Sequence, residues 1–192
     1  SYARRPGGGC TNCGFAAMTL PPERVSATDL TAQFDSVFSG PDAVAGVGEI
    51  DLYNSGSFFA DDENPASVQD HVFSRLGAFP ILRVLVESRP EFITAEKVRS
   101  ARRRLGPVAL EVGIGLESAN DEVRETFIRK GFGLAAFERA ANVLAEAGAS
   151  MVVNILLKPL GLDERAALED AVATGKYIAD LVNKGYADAI EP

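Results

Sequence analysis

Cys10 and Cys13 are the only cysteines in 192 residues, and two residues separate them. Gly7-Gly8-Gly9 precedes the pair and Gly14-Phe15 follows it. Thiolates at this spacing serve three kinds of chemistry. A zinc site needs a second Cys or His pair, and the single His, His71, stands far away in a helical stretch. A thioredoxin-like redox pair opens a helix directly after a strand, whereas here the approach is a glycine run. An iron–sulfur cluster needs thiolates on a loop supple enough to wrap it, and the glycines suit that. The Cys pair by itself leaves all three readings open.

A second group of chemically capable residues stands at the ends of apolar runs. They are Asn54-Ser55-Gly56-Ser57, Glu87-Ser88-Arg89-Pro90, Gly115-Leu116-Glu117-Ser118, and Asn154 with Lys158-Pro159. Singly, each reads as a turn or a helix cap, and Ser118 needs no role beyond capping. Together they form a pattern, because four consecutive apolar runs end this way. Glu87 and Glu117 occupy the last position of core strands, where a carboxylate costs desolvation energy unless a ligand or partner satisfies it.

The elements that must position these residues follow from periodicity. Leu30, Phe34 and Phe38 at helical spacing predict a helix over 28–39. GEIDLYN (48–54) predicts a strand, 64–77 a helix and ILRVLVE (81–87) a strand. Thr94 caps a basic helix running to Leu105, and VALEVGIGLE (108–117) is a strand leading into a capping-box variant at 118–121. A helix from Leu134 to Ala147 stops at Gly148, MVVNILL (151–157) is a strand, and a long helix covers Glu164 to Asn183. The apolar alternation of YADAIEP (186–192) predicts a fifth strand. Strands alternating with helices predict a parallel α/β sheet of right-handed units, its strands apolar on both faces, with function at their carboxyl ends.

No low-complexity linker or repeat interrupts residues 1–192, so a single domain is expected, with both ends read as cut. At 46% hydrophobic and 24% charged residues the composition is that of a globular chain. No apolar run reaches the ~20 residues of a membrane helix, and nothing reads as a signal peptide, so no membrane association and a cytoplasmic location are expected. The net charge of −8 argues against this chain wrapping nucleic acid by itself.

With these residues in view the sequence resembles the radical S-adenosylmethionine (radical SAM) superfamily. More narrowly, GGCTNCGF, YNSGSFFADDE, ESRPEFIT, VGIGLESANDEVRETFIRKGF and NILLKPLGLDE resemble, in order, the branch that contains the Elongator catalytic subunit and the radical-SAM partner of archaeosine synthase. The resemblance implies a partial (β/α)6 TIM-like barrel. It also implies a 4Fe-4S cluster on Cys10 and Cys13, and S-adenosylmethionine cleaved reductively to a 5′-deoxyadenosyl radical that takes hydrogen from a substrate. The superfamily uses three cluster cysteines. The commonest spacing places the third at Pro6, whereas the Elongator-like spacing places it immediately before Ser1.

Carried over residue by residue, Phe15 would lie beside the adenine, and Ser55, Gly56 and Ser57 would meet the methionine amino group. Glu87 and Glu117 would hold the amino group or ribose hydroxyls, Lys130 the carboxylate, and Asn154 and Lys158 the ribose and adenine. Lys130 reads equally well as a solvated cation at a helix junction. An electron donor such as ferredoxin or flavodoxin is implied, with tRNA reached through another domain or partner subunit. A substrate from a small-molecule pathway, or a non-catalytic zinc-binding barrel, are the alternatives. Arg99, Arg102, Arg103 and Arg104 read first as a solvated helix face and second as a tRNA phosphate contact. Asp61-Asp62-Glu63 reads as an acidic turn capping the next helix rather than a hard-cation site.

Overall fold

The computed structural model describes residues 2, 8–14, 20, 22–54, 56–183 and 190–191. Phe15 and Ser55 lie outside the described residues.

Five parallel strands form one sheet in sequential order: β1 (Glu49–Leu52), β2 (Arg83–Glu87), β3 (Ala109–Glu117), β4 (Ser150–Ile155) and β5 (Ile190–Glu191). Helix α1 (Ala27–Val37) precedes β1. Helices α2 (Ala66–Leu76), α3 (Ala95–Leu105), α4 (Leu134–Glu146) and α5 (Glu164–Leu181) lie in the successive crossovers. Local chemistry sets several boundaries. Ser26 and Asp29 cap α1 reciprocally, the Thr94 hydroxyl accepts from Lys97 N at the start of α3, and Asp163 caps α5 through Ala166 N. Gly148, at φ +67°, turns the chain from α4 into β4.

The strands are shorter than their apolar runs. β1 stops at Leu52, β2 starts at Arg83 and β4 ends at Ile155, so the outer residues of each run belong to the loops. Of the expected fifth strand, residues 186–189 and 192 lie outside the described residues. Two expected caps also differ. Asn120 Oδ1, not Ser118, accepts from Glu122 N and Val123 N, and α2 has Pro65 at its N-cap, with no side-chain cap. Asp61 instead pairs with Lys97 Nζ at 3.0 Å, while Glu63 accepts from Ser57 N.

The two faces of the sheet differ, which corrects the expectation of strands apolar on both sides. Ile50, Val84, Val86, Leu110, Val112, Ile114, Leu116 and Met151 point one way and share a core with Val72, Leu76, Val98, Leu105, Phe137 and Leu144 of the helices. Strand register puts Glu49, Arg83, Glu87, Glu111, Gly113, Gly115 and Asn154 on the opposite face. Right-handed crossovers between sequentially ordered parallel strands place the crossover helices on the same side, and on the second face Leu85 and Val152 share the surface with the polar side chains. Arg83 spans it, donating to Glu49 (2.6 Å) and to the buried Glu111 (2.8 Å).

Candidate functional site

The polar face opens at the carboxyl ends of the strands into a cleft of about 500 Å³. Cys10, Cys13, Gly56, Glu87, Glu117, Lys130 and Asn154 all line it. Ser57 does not: it is fully buried, and its hydroxyl accepts from Arg89 N at 3.1 Å. Lys158 also lies off the wall, half exposed beyond β4 and paired with Glu164.

Side chains from β2 and β4 meet across β3 because β3 carries glycine between them. Glu87 stands in register with Gly113, and Asn154 with Gly115. Asn154 Nδ2 donates to Glu87 Oε1 at 3.3 Å above this gap. A Cβ at Gly115 would come within 2.6 Å of the Glu117 carboxylate and 2.8 Å of Lys130 Nζ. Burial holds the Glu87 carboxyl above the usual carboxylate range, with the Asn154 hydrogen bond and Lys130 pulling it down and Glu117 adding to the rise.

Glu117 ends β3 at φ +65°, a left-handed conformation that costs a glutamate on the order of 1–3 kcal/mol. A register shift between Gly115 and Glu117 and a hydrogen bond from Ser118 N to Leu116 O (2.8 Å) fold the strand end over. The turn keeps the carboxylate on the cleft wall, 3.3 Å from Lys130 Nζ. These two side chains are 17% and 11% exposed, so the pair is largely withdrawn from water.

The turn is anchored from behind. Ser118 Oγ donates to Asp170 of α5 (2.8 Å), and Ala119 N donates to Thr174 Oγ1 (2.9 Å). Arg124, fully buried, donates to Ser118 O and Phe132 O at 3.0 Å each and pairs with Asp121. It lies in a π-helical turn, Val123–Ile128.

The cysteines share a tight turn, with Cys13 N donating to Cys10 O at 3.2 Å. Burial pushes the Cys10 thiol up, and the nearby cations Lys130 and Arg89 oppose that rise. Among the described residues no group of three His, Cys, Asp or Glu side chains could hold a metal ion. The wall also includes Tyr2, Asn54, Arg89 and Phe132. The sequence reading did not assign these roles, although Asn54 and Arg89 stand in the strand-end sets it singled out. Asn54 Oδ1 is buried with no hydrogen-bond partner. Arg89 lies 3.9 Å from the Tyr2 ring centroid and 5.2 Å from that of Phe132.

The remaining candidates lie outside the cleft lining. His71, on α2, contacts Asp35 of α1 at 2.9 Å, away from the cleft. In the basic cluster Arg104 pairs with Asp70 and Arg102 donates to Val108 O, while Arg99 and Arg103 are exposed.

Fold and cleft together define a parallel α/β protein with its polar groups gathered at the carboxyl ends of the strands, where such sheets bind ligands. No protein-family model matches the chain. It is homologous to an archaeosine synthase subunit beta of Methanosarcina acetivorans, with 33% identity over 168 residues covering 86% of this chain and 47% of the relative. The Thermococcus kodakarensis protein of the same name is 29% identical over 171 residues, covering 88% and 52% respectively. An uncharacterised Methanocaldococcus jannaschii protein is 31% identical over 184 residues, covering 94% and 49%. The chain therefore spans about half the length of the curated relatives it matches. Among solved structures, Methanocaldococcus infernus Elp3 lacking its N-terminus shares the fold. The TM-score is 0.52 and the identity 14%, covering 79% of this chain and 38% of that one.

Proposed function

We propose that this chain is the core of a radical SAM enzyme of tRNA modification, in which Cys10 and Cys13 hold a 4Fe-4S cluster beside bound S-adenosylmethionine. One observation carries the reading: both thiols line the same cleft as two strand-end carboxylates, a withdrawn ammonium and the unpartnered Asn54 Oδ1. The donor set fits the cofactor and supplies two of the cluster's thiolates. The cleft volume lies within the range of cofactor sites, and an orphaned buried acceptor calls for a donor from a ligand. This sequence supplies two of the cluster's thiolates, and the family resemblance implies the third at the position directly before Ser1.

When bound, cluster and cofactor together supply a one-electron reductive cleavage that ends in hydrogen abstraction from substrate. The chain binds and orients. Lys130 takes the ligand carboxylate in exchange for part of its contact with Glu117. Glu117, Glu87 and Asn54 Oδ1 accept from amino and hydroxyl groups, and Asn154 is free to donate once Glu87 turns to the ligand. The glycines of β3 leave room for the ligand to lie against the backbone. Phe15 and Ser55 keep their proposed places beside the adenine and the amino group. Ser57 acts through Arg89 N, and Lys158 reaches the ribose and adenine only by leaving Glu164. Sequential parallel strands with helices on one side are the order of a partial (β/α)6 barrel, and the proposal extends to that architecture.

The names of the curated relatives support an archaeosine-type, tRNA-linked substrate and a partner subunit. The proposed cluster chemistry further calls for a separate electron donor such as ferredoxin or flavodoxin. A chain extended upstream of Ser1 and reconstituted anaerobically should bind about four irons. With reductant and S-adenosylmethionine it should release 5′-deoxyadenosine, and Cys10→Ser/Cys13→Ser should release none. Stoichiometric zinc without iron, or S-adenosylhomocysteine in place of 5′-deoxyadenosine, would overturn the reading.

A further inference from the structure

Six consecutive carbonyl oxygens, from Phe127 to Phe132, take hydrogen bonds from side chains or amides converging from several parts of the fold. Thr11 Oγ1 donates to Phe127 O (2.6 Å) and Thr11 N to Ile128 O (2.9 Å). Tyr2 donates to Arg129 O (2.7 Å), Arg89 to Lys130 O (2.6 Å) and Gly131 O (3.3 Å), and Arg124 to Phe132 O (3.0 Å). A helix end leaves its last carbonyls without partners, and here the π-helical turn Val123–Ile128 hands them to other elements. Gly131, at φ +68°, is required at this point: a Cβ there would meet the Tyr2 ring at 2.6–2.7 Å. Lys130 sits in the middle of this ladder, with its ammonium in the cleft.

Within residues 9–14, Gly9, Cys10, Asn12, Cys13 and Gly14 line the cleft and Thr11 does not. Thr11 is spent instead on the ladder, through both its amide and its hydroxyl. We infer that Thr11 is a positioning residue that registers the Cys10–Cys13 turn against Lys130, so that whatever the thiols hold and whatever the ammonium holds are set at a fixed separation by one hydrogen-bonded segment. What the two ends hold rests on the proposed function. The registration belongs to this chain's own residues.

The test compares the wild type with Thr11→Val, which loses the hydroxyl donor at nearly constant shape, and with Thr11→Ser, which restores it. In iron-free protein, hydrogen exchange of peptides covering 8–14 and 123–132 should quicken about two- to tenfold in Thr11→Val, the equilibrium cost of one neutral hydrogen bond, and return in Thr11→Ser. In the upstream-extended, iron-loaded chain, affinity for S-adenosylmethionine should fall by a similar factor at unchanged iron content, again rescued by serine. Wild-type exchange in both segments of Thr11→Val would overturn the inference. So would faster exchange confined to 8–14 with cofactor affinity unchanged, or a global loss of stability, which would make Thr11 a folding residue. If the wild type binds neither iron nor S-adenosylmethionine, the functional reading fails, while the exchange comparison still decides the registration.

Discussion

Glu117 concentrates the argument at the scale of single residues. A non-glycine residue at φ +65° persists because its surroundings hold it, and here Ser118, Asp170, Thr174 and Arg124 do so. The strain keeps a carboxylate on the cleft wall instead of in solvent. Glu117→Ala should therefore weaken S-adenosylmethionine binding about ten- to a hundred-fold, the loss of one hydrogen bond to a charged group, with iron content unchanged. Titration calorimetry on the iron-loaded protein measures it, and an unchanged affinity would leave Glu117 a structural residue.

Glu87 yields a prediction in pH. Burial raises its carboxyl, so just above the ordinary carboxylate range the native state keeps a proton that the unfolded chain has lost. Stability then falls as pH rises through that window. Glu87→Gln lacks this term, so the wild type should lose stability relative to the variant as pH climbs from about 4 towards 7. Urea denaturation across that range reads the difference directly, and a flat difference would mean that Glu87 is as well solvated folded as unfolded.

At the scale of elements, the π-helical turn and the end of β3 are joined by one side chain. Arg124 is fully buried and serves the carbonyls of Ser118 and Phe132, which follow Glu117 and Lys130 in the chain. Removing the guanidinium leaves two carbonyls unsatisfied. Arg124→Met should cost roughly 2–4 kcal/mol of stability, read as a lower denaturant midpoint. It should also part Glu117 from Lys130, so cofactor affinity should fall at temperatures where the fold survives. Strand β3 contributes differently, by withholding side chains. Its glycines let Asn154 and Glu87 reach each other across an intervening strand; a Cβ at 113 would crowd Glu87 Cγ at 3.2 Å, and one at 115 would press on Glu117 and Lys130.

For the whole molecule, the formal charge of −8 constrains any role in tRNA modification. Affinity for nucleic acid comes chiefly from cations set against phosphates, and here only Arg99 and Arg103 of the α3 cluster stand exposed. This 192-residue chain alone should therefore not retain tRNA at about 150 mM salt in a filter-binding assay. Under the proposed function, tRNA affinity would be supplied by a partner subunit or another domain and would carry a steep salt dependence. Tight, salt-sensitive binding by this chain alone would show that a local basic face outweighs the net charge. Among the described residues no helix is long and apolar enough to cross a membrane.

Periodicity and punctuation made most of the architecture legible. Thr94, Gly148 and the apolar runs act over a few residues, so the elements they delimit appear in the order the chain predicts. The strand-end Glu87, Glu117 and Asn154 were legible for the same reason, since a polar residue closing an apolar run is a local mismatch. The second face is also written in the chain, as the alternation of Ala109, Glu111, Gly113, Gly115 and Glu117 with apolar neighbours, although a run this apolar overall equally predicts a strand buried on both sides. Other features lay beyond any local pattern. Nothing near Thr11 says that its hydroxyl meets a carbonyl 116 residues away, or that Arg124 is buried while Arg129 lies at a turn. Ser57 and Lys158 sit in the same strand-end sets as Gly56 and Asn154, yet the first turns into the protein and the second lies half exposed, paired with Glu164. Sequence determines which residues are able to do chemistry and which elements carry them. Which of those residues share a cleft is decided by contacts between distant segments, because only the packed sheet brings the Cys turn, the β3 end and the 127–132 carbonyls together.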